Sequence, residues 1–212
     1  MSFYVESNQE RQFKNVPAGS HLGRCYRIVD LGSQKVEYMG ETKVQRKIML
    51  SWELFGQDDE GANLVTDDGK PMAIFKNYTL SWSENANLRK DLQSWRNKPW
   101  TDAEARRFDL KTIIGAYCML NVIHREVNGK TYANVATIGP VPSMIRQAGL
   151  PKPVNKNQMF MISEPDMELF ETFGKGLKEK ITSSPEWQAR GYVPVKTDKT
   201  ETIAEMEDDI PF

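Results

Sequence analysis

The chain has 212 residues, 39% hydrophobic, 10% aromatic and 27% charged, with a formal net charge of −1. That is apolar mass for one core with appendages, and no stretch approaches the roughly 20 apolar residues that a membrane-spanning helix needs. The opening MSFYVESNQERQF lacks the charged-then-apolar order of a secretory signal, and Cys25 and Cys118 are too few for a disulfide framework. The expectation is a cytoplasmic protein without a membrane partner, its thiols buried and free.

In chain order, GRCYRIVDLGSQKVEYMG (23–40) is β-branched and aromatic and is broken by Gly32 and Gly40, as in a long curved strand or a hairpin arm. KVQRKIMLSWELF (43–55) alternates: Ile48, Leu50, Trp52 and Leu54 share one face, and Lys47, Met49, Ser51 and Glu53 the other, the pattern of a half-buried strand. GQDDEGANLVTDDGKP reads as a loop, and MAIFKNYTLSWS follows as a third strand. Ser83 is placed to cap a helix with Leu88, Leu92 and Trp95 on one face, and Thr101 with Glu104 has capping-box spacing.

After Gly115, AYCMLNVIHREV and KTYANVATIGPVP flank Asn128-Gly129, a strong hairpin signal. Three strands, a helical connection and two strands is the order of the five-stranded OB barrel. A five-stranded sheet covered by helices shares that order. Beyond the prolines of GLPKPVNKN, SEPD opens a helix with Ser163 and Asp166 at its start and Met167, Phe170, Phe173 and Leu177 on one stripe, interrupted by Gly174 and Gly176. Ser184-Pro185 begins a last helical turn ending near Gly191. The expected fold is mainly β: an N-terminal arm (1–19), an OB barrel (20–142), a helical extension (143–192) and a disordered acidic tail (193–212).

Five of the 29 acids and none of the 28 bases lie between Glu201 and Phe212, so residues 1–200 carry a surplus of four bases. A basic body with an acidic tail points to a nucleic-acid surface. Single strands are held by a basic groove that follows the phosphates and by aromatic faces on which bases stack. Residues 24–47 supply six bases (Arg24, Arg27, Lys35, Lys43, Arg46, Lys47) against three acids, with Tyr26 and Tyr38 interleaved. The expected nucleic-acid-binding residues are Arg27, Lys35, Tyr38, Lys43, Arg46 and Lys47 from this arm, Phe75, Lys76, Tyr78 and Trp82 from the third strand, and Tyr117 and Arg125 from the fourth. Tyr38, in a charged and turn-like context, is the foremost stacking candidate. Trp52 reads as core, while Tyr78 and Trp82, sharing a face with Ile74 and Leu80, stay open between core and stacking.

No P-loop, nucleophile elbow, dinucleotide fingerprint or H-E-x-x-H is present, so neither catalysis nor a cofactor is expected. His21 with Cys25 and Cys118 with His124 lack C-x-x-C spacing and read as core thiols and strand histidines rather than metal ligands. Asp58, Asp59, Asp67 and Asp68 read as turn residues of one loop.

The closing EDDIPF resembles the acidic tip, Asp-Asp-Asp-Ile-Pro-Phe, of bacterial single-stranded DNA-binding proteins, with Glu207 where the first Asp usually stands. The body lacks that family's strand pattern and its Gly, Gln and Pro-rich linker. Over residues 20–142 it resembles in architecture the phage replication type, a single OB fold with extra helices and an acidic tail. The resemblance implies a non-catalytic protein of the bacterial host cytoplasm that coats single-stranded DNA during phage DNA replication, recombination or repair. It also implies that Glu207, Asp208, Asp209, Ile210, Pro211 and Phe212 recruit replication or repair proteins. Monomer and homodimer both stand, and the alternative is a replication adaptor that binds no DNA of its own.

Overall fold

Strand β1 (Gly19–Tyr38) organises the sheet, because its length gives it successive neighbours along one edge. The structure, a computed structural model, describes residues 14–190 except Met39 and the side chain of Tyr38. Residues 1–13 of the expected arm, Gly191 and Tyr192, the tail and its partner-binding residues Glu207 to Phe212 lie outside the described residues. Strand β2 (Glu41–Phe55) runs antiparallel to β1, and β3 (Ala73–Thr79) pairs with β2. On its other edge, residues 19–24 of β1 pair antiparallel with β4 (Tyr117–Val127), which forms a hairpin with β5 (Lys130–Gly139). Beyond Arg24 that edge is taken by β6 (Gln158–Phe160), parallel to Arg27–Val29. The order is therefore β3-β2-β1-β4-β5 with β6 beside β1, and β3 and β5 approach each other without forming a ladder. The fold is mainly β, as expected, in one curled, predominantly antiparallel sheet that is not closed. Three residues are too few for β6 to show a period in the sequence.

The β4–β5 hairpin turns at Asn128 and Gly129, with φ of 51° and 73°, the left-handed pair that a two-residue turn between twisted strands requires. The inner face of the sheet buries Ile48, Leu50, Trp52, Leu54, Ile74, Leu120 and Ile138. Helix α1 (Asn87–Arg96) adds Leu88, Leu92 and Trp95 to that core, packs against β3 and β5, and brings Trp95 within 6.2 Å of the Trp52 ring. It starts later than Ser83 suggests: Ala86 is the N-cap and makes no side-chain cap, while the Ser83 hydroxyl is engaged by Ser81. Helix α2 (Asp102–Arg106) has the expected capping box between Thr101 and Glu104. Helix α3 (Ser143–Ala148), starting directly after Pro142, was not anticipated.

The alternation in β2 suggested one buried face; both are buried. Met49, Ser51 and Glu53 are 7%, 4% and 0% exposed. The cover over this outer face is β6 with helices α4 (Met167–Glu171), α5 (Lys175–Thr182) and α6 (Pro185–Gln188). Phe160 packs there against Phe170, Phe173 and Trp187, on a floor of Val29, Leu31 and Met49. Burying each such side chain contributes about 1.5 to 3 kcal/mol, so the segment 158–188 holds to the outer face of the sheet through these contacts and the β6 pairing. The expected single helical stripe is divided because Gly174 is extended and forms the N-cap of α5; Asp166, not Ser163, caps α4 through the Leu169 amide at 2.9 Å.

Candidate nucleic-acid interface

The outer face of β1, β2 and β3 is built in cross-strand rows, since directly paired residues point the same way. Arg27, Ser51 and Phe75 form one row, and Val29, Met49 and Asn77 the next. Bulges at Cys25/Arg27 and Asp30/Gly32 each insert one extra residue in β1, Tyr26 and Leu31. Both line the groove that runs over this face. The C-terminal helices cover the second row more fully than the first, and Phe75 remains 59% exposed.

Two adjoining cavities make up the groove. One, of about 610 Å³, lies along the open seam between β3 and β5 and is bordered by Lys14, Lys70, Phe75, Lys76 and Tyr132. The other, of about 650 Å³, runs beneath α5 between Arg27, Met49, Lys175 and Lys180. Tyr26, Ala73, Ile74, Phe75 and Asn77 line both, so the two adjoin across β3. Six bases line this path (Lys14, Arg27, Lys70, Lys76, Lys175, Lys180) against two acids, Asp68 and Glu179, each of which is within ion-pair distance of a lysine. The surface combines net positive rims with aromatic faces on its floor, which suits a chain of phosphates and bases.

Of the sequence-expected residues, Arg27, Phe75 and Lys76 line the groove. Arg27 is oriented by Gln158 at 2.6 Å and lies over the Tyr26 and Phe173 rings at 5.2 and 5.4 Å; Lys76 is held at the rim by Asp91 at 3.1 Å. Lys43 and Lys47 lie on the same face of β2 as Met49 and Ser51, with Lys47 donating to the Thr79 hydroxyl at 3.0 Å. Arg125 is exposed and stands opposite Tyr132 in the β4–β5 ladder. Tyr38 pairs with Glu41 through the backbone.

The other expected residues are placed elsewhere. Lys35 and Arg46 fall on the opposite face of the β1–β2 arm, because the strand period of two separates them from Lys43 and Lys47. Arg46 is moreover bonded to Asp30 at 2.6 Å. Tyr78 is core, 3% exposed, with its hydroxyl donated to Asp91 at 2.8 Å. Trp82 stacks on Phe108 at 5.4 Å, meets the edge of Trp100 at 4.8 Å and donates its indole N–H to the Glu104 carbonyl, so it is an anchor for the segment after α1. Tyr117 is half-buried and donates its hydroxyl to the Pro151 carbonyl. Tyr26, Tyr132, Lys14, Lys70, Lys175 and Lys180 line the groove without having been expected there from the sequence. Tyr26 sits in the basic run of residues 24–47 and was legible there; Lys175 and Lys180 reach the groove only through the packing of α5.

The cysteines, histidines and several loop aspartates make local contacts. Cys25 and Cys118 are fully buried, and burial pushes the Cys25 thiol up to about 12 and Cys118 well above its ordinary value, so both stay protonated and inert. His21 and His124 donate Nε2–H to the carbonyls of Pro17 and Val16 at 2.7 and 2.8 Å. Asp58 accepts from the amides of Glu60 and Ala62, and Asp68 is bonded to Thr66 and Lys70, as turn residues do. Among the described residues no group of three or more His, Cys, Asp or Glu is placed to hold a metal ion, and no helix is long and apolar enough to cross a membrane.

No family model and no curated protein matches this sequence.

Proposed function

We propose that this protein binds single-stranded DNA without catalysing a reaction on it, coating exposed strands during phage DNA replication, recombination or repair in the bacterial host cytoplasm. The observation that carries the reading is the pair of adjoining cavities with Phe75 and Tyr132 along them and six bases at their margins. Bases that stack on isolated rings must first be unpaired, so the preferred ligand is a single strand. We read the curled sheet as an OB-type barrel with an open seam. The strand order, and α1 inserted between β3 and β4 and packed against β3 and β5, support that reading.

Recruitment of replication or repair proteins is assigned to Glu207–Phe212 on the strength of the EDDIPF resemblance. In this reading Phe212 places its ring in an apolar pocket of the partner while Asp208 and Asp209 meet surrounding basic charge. Phe212→Ala then loses the partner and keeps DNA binding.

The test is a gel-shift titration with one oligonucleotide presented as single strand and as duplex. Salt-sensitive binding favouring the single strand is expected, with log K falling against log salt by about 0.7 per phosphate contact. No binding to single strands would overturn the reading in favour of an adaptor.

A further inference from the structure

The cavity beneath α5 is not needed to stack a base on Phe75, yet it opens directly from the same floor. It is bounded by the apolar side chains of Leu31, Met49 and Leu177, and its volume of about 650 Å³ is at the scale of a small-ligand pocket rather than a packing defect. Two polar groups of the floor point to what fills it. Ser51 is 4% exposed and lines the cavity. Asn77 also lines it, and its side-chain oxygen Oδ1 is buried with no hydrogen-bond partner among the described residues. A buried acceptor without a donor costs free energy that a ligand carrying an N–H would recover. Lys175 and Lys180 border the same space from α5.

A largely apolar slot with an unmet acceptor in its lining, and with Lys175, Lys180 and the Lys175-paired Glu179 at its rim, leaves a net positive charge beside room for a flat base, the chemistry of a nucleotide with an exocyclic amino group and a phosphate. Resting on the single-strand reading above, we propose that this cavity is a nucleobase subsite. It receives one base turned out of the strand that crosses Phe75, with the amino group of that base donating to Asn77 Oδ1 and the adjacent phosphate meeting Lys175 and Lys180. The helical layer is then part of the binding site as well as a cover for the sheet. Cytosine fits this position better than thymine, which presents a carbonyl where cytosine presents the amine.

Gly174, the N-cap of α5, is a position at the cavity margin where a larger side chain can be introduced without a backbone clash. It lines the space, its backbone is extended, and a Cβ added there meets nothing within 4 Å. The experiment measures fluorescence anisotropy of labelled dC and dT oligonucleotides of about 12 nucleotides, within the span of one such site. The proteins are wild type, Gly174→Phe, Asn77→Leu and Phe75→Ala, each checked for an unchanged melting temperature, with Lys175→Ala and Lys180→Ala as a second route if a cavity variant unfolds. The expected result is a loss of about tenfold in dC binding for Gly174→Phe, the equivalent of one stacked base. Asn77→Leu should lower binding to dC more than to dT. A wild-type protein that binds and is weakened by Phe75→Ala, but is unaffected by Gly174→Phe, Asn77→Leu and both lysine changes, would overturn the subsite alone. A wild-type protein that binds neither oligonucleotide overturns the single-strand reading itself.

Discussion

Arg24 and Glu53 face each other across the β1–β2 ladder, and their side chains meet at 2.6 Å with 5% and 0% exposure. The second carboxylate oxygen of Glu53 accepts from the backbone and side-chain amides of Asn155 at 2.8 and 2.9 Å. Arg24 in turn donates to the Asn155 carbonyl at 3.1 Å and to the side chain of Asn157. The pair thereby fastens the connection that leads into β6 and the helical layer. Removing one partner leaves a buried, uncompensated charge, whereas replacing both with apolar residues does not. Arg24→Met or Glu53→Leu alone is expected to cost about 3 to 5 kcal/mol in urea unfolding, and the double variant distinctly less. Losses that simply add in the double variant would show that the two charges do not compensate each other.

Gly32 marks where α6 locks onto the sheet. Its φ is +70°, and an added Cβ would lie 2.4 Å from Ser184 Cβ and 2.9 Å from Ile162 Cδ1. Ser184 is the N-cap of α6, and Glu186 of the same turn accepts from the Ser33 amide at 2.8 Å. Gly32→Ala should cost about 1 to 3 kcal/mol from the left-handed backbone, with the clash adding to it. Gly40, also at positive φ but with nothing within 4 Å, should lose less when changed to Ala. Equal melting temperatures for the two variants would contradict the close approach.

Glu104 provides a pH signature for the Trp82 region. The Arg96 guanidinium at 2.7 Å, with the Thr101 amide, holds its carboxyl down to about 2 from an ordinary 4.5. A carboxyl depressed on folding stabilises fully above its unfolded value and loses that contribution as pH falls through the folded one. The melting-temperature gap between wild type and Glu104→Gln should therefore be greatest above pH 4.5 and shrink as the pH approaches 2. A gap independent of pH across that window would mean that the ionised carboxylate contributes nothing.

The two faces of the β1–β2 arm make separable predictions about binding. Lys43 and Lys47 share the groove face, so replacing either with Ala should weaken single-strand binding for all sequences alike and flatten the salt slope by about 0.7. Lys35→Ala, on the opposite face, should leave both quantities unchanged. Arg46→Ala should act on stability through the lost Asp30 contact rather than on binding. Anisotropy titrations at several salt concentrations separate these outcomes, and equal effects of Lys35 and Lys47 would move the strand path off this face.

Local chemistry made much of this legible. Asn128-Gly129, the Thr101 and Glu104 box, and the Leu88, Leu92 and Trp95 stripe each specify their element within a few residues, and each is found where expected. What escaped depends on contacts distant in the chain. The polar-looking face of β2 gave no hint that Glu53 would be neutralised by Arg24, or that Met49 would be roofed by Phe160 and Phe173 more than a hundred residues later. The site was partly legible for the same reason. Basic residues 24–47 were visible as a cluster in sequence, but alternation divides that cluster between two faces, and the lysines of α5 join it only in space.

The location of the binding face is tested most directly by photo-cross-linking a single-stranded oligonucleotide carrying 5-iodouracil and sequencing the attached peptides. Cross-links should map to Phe75 or Tyr132, the accessible rings that line the groove, and should fall sharply in Phe75→Ala. Cross-links confined to Trp82, Trp100 or Phe108, the ring cluster formed by the segments flanking α1, would place the strand on another surface and contradict the groove as its binding site.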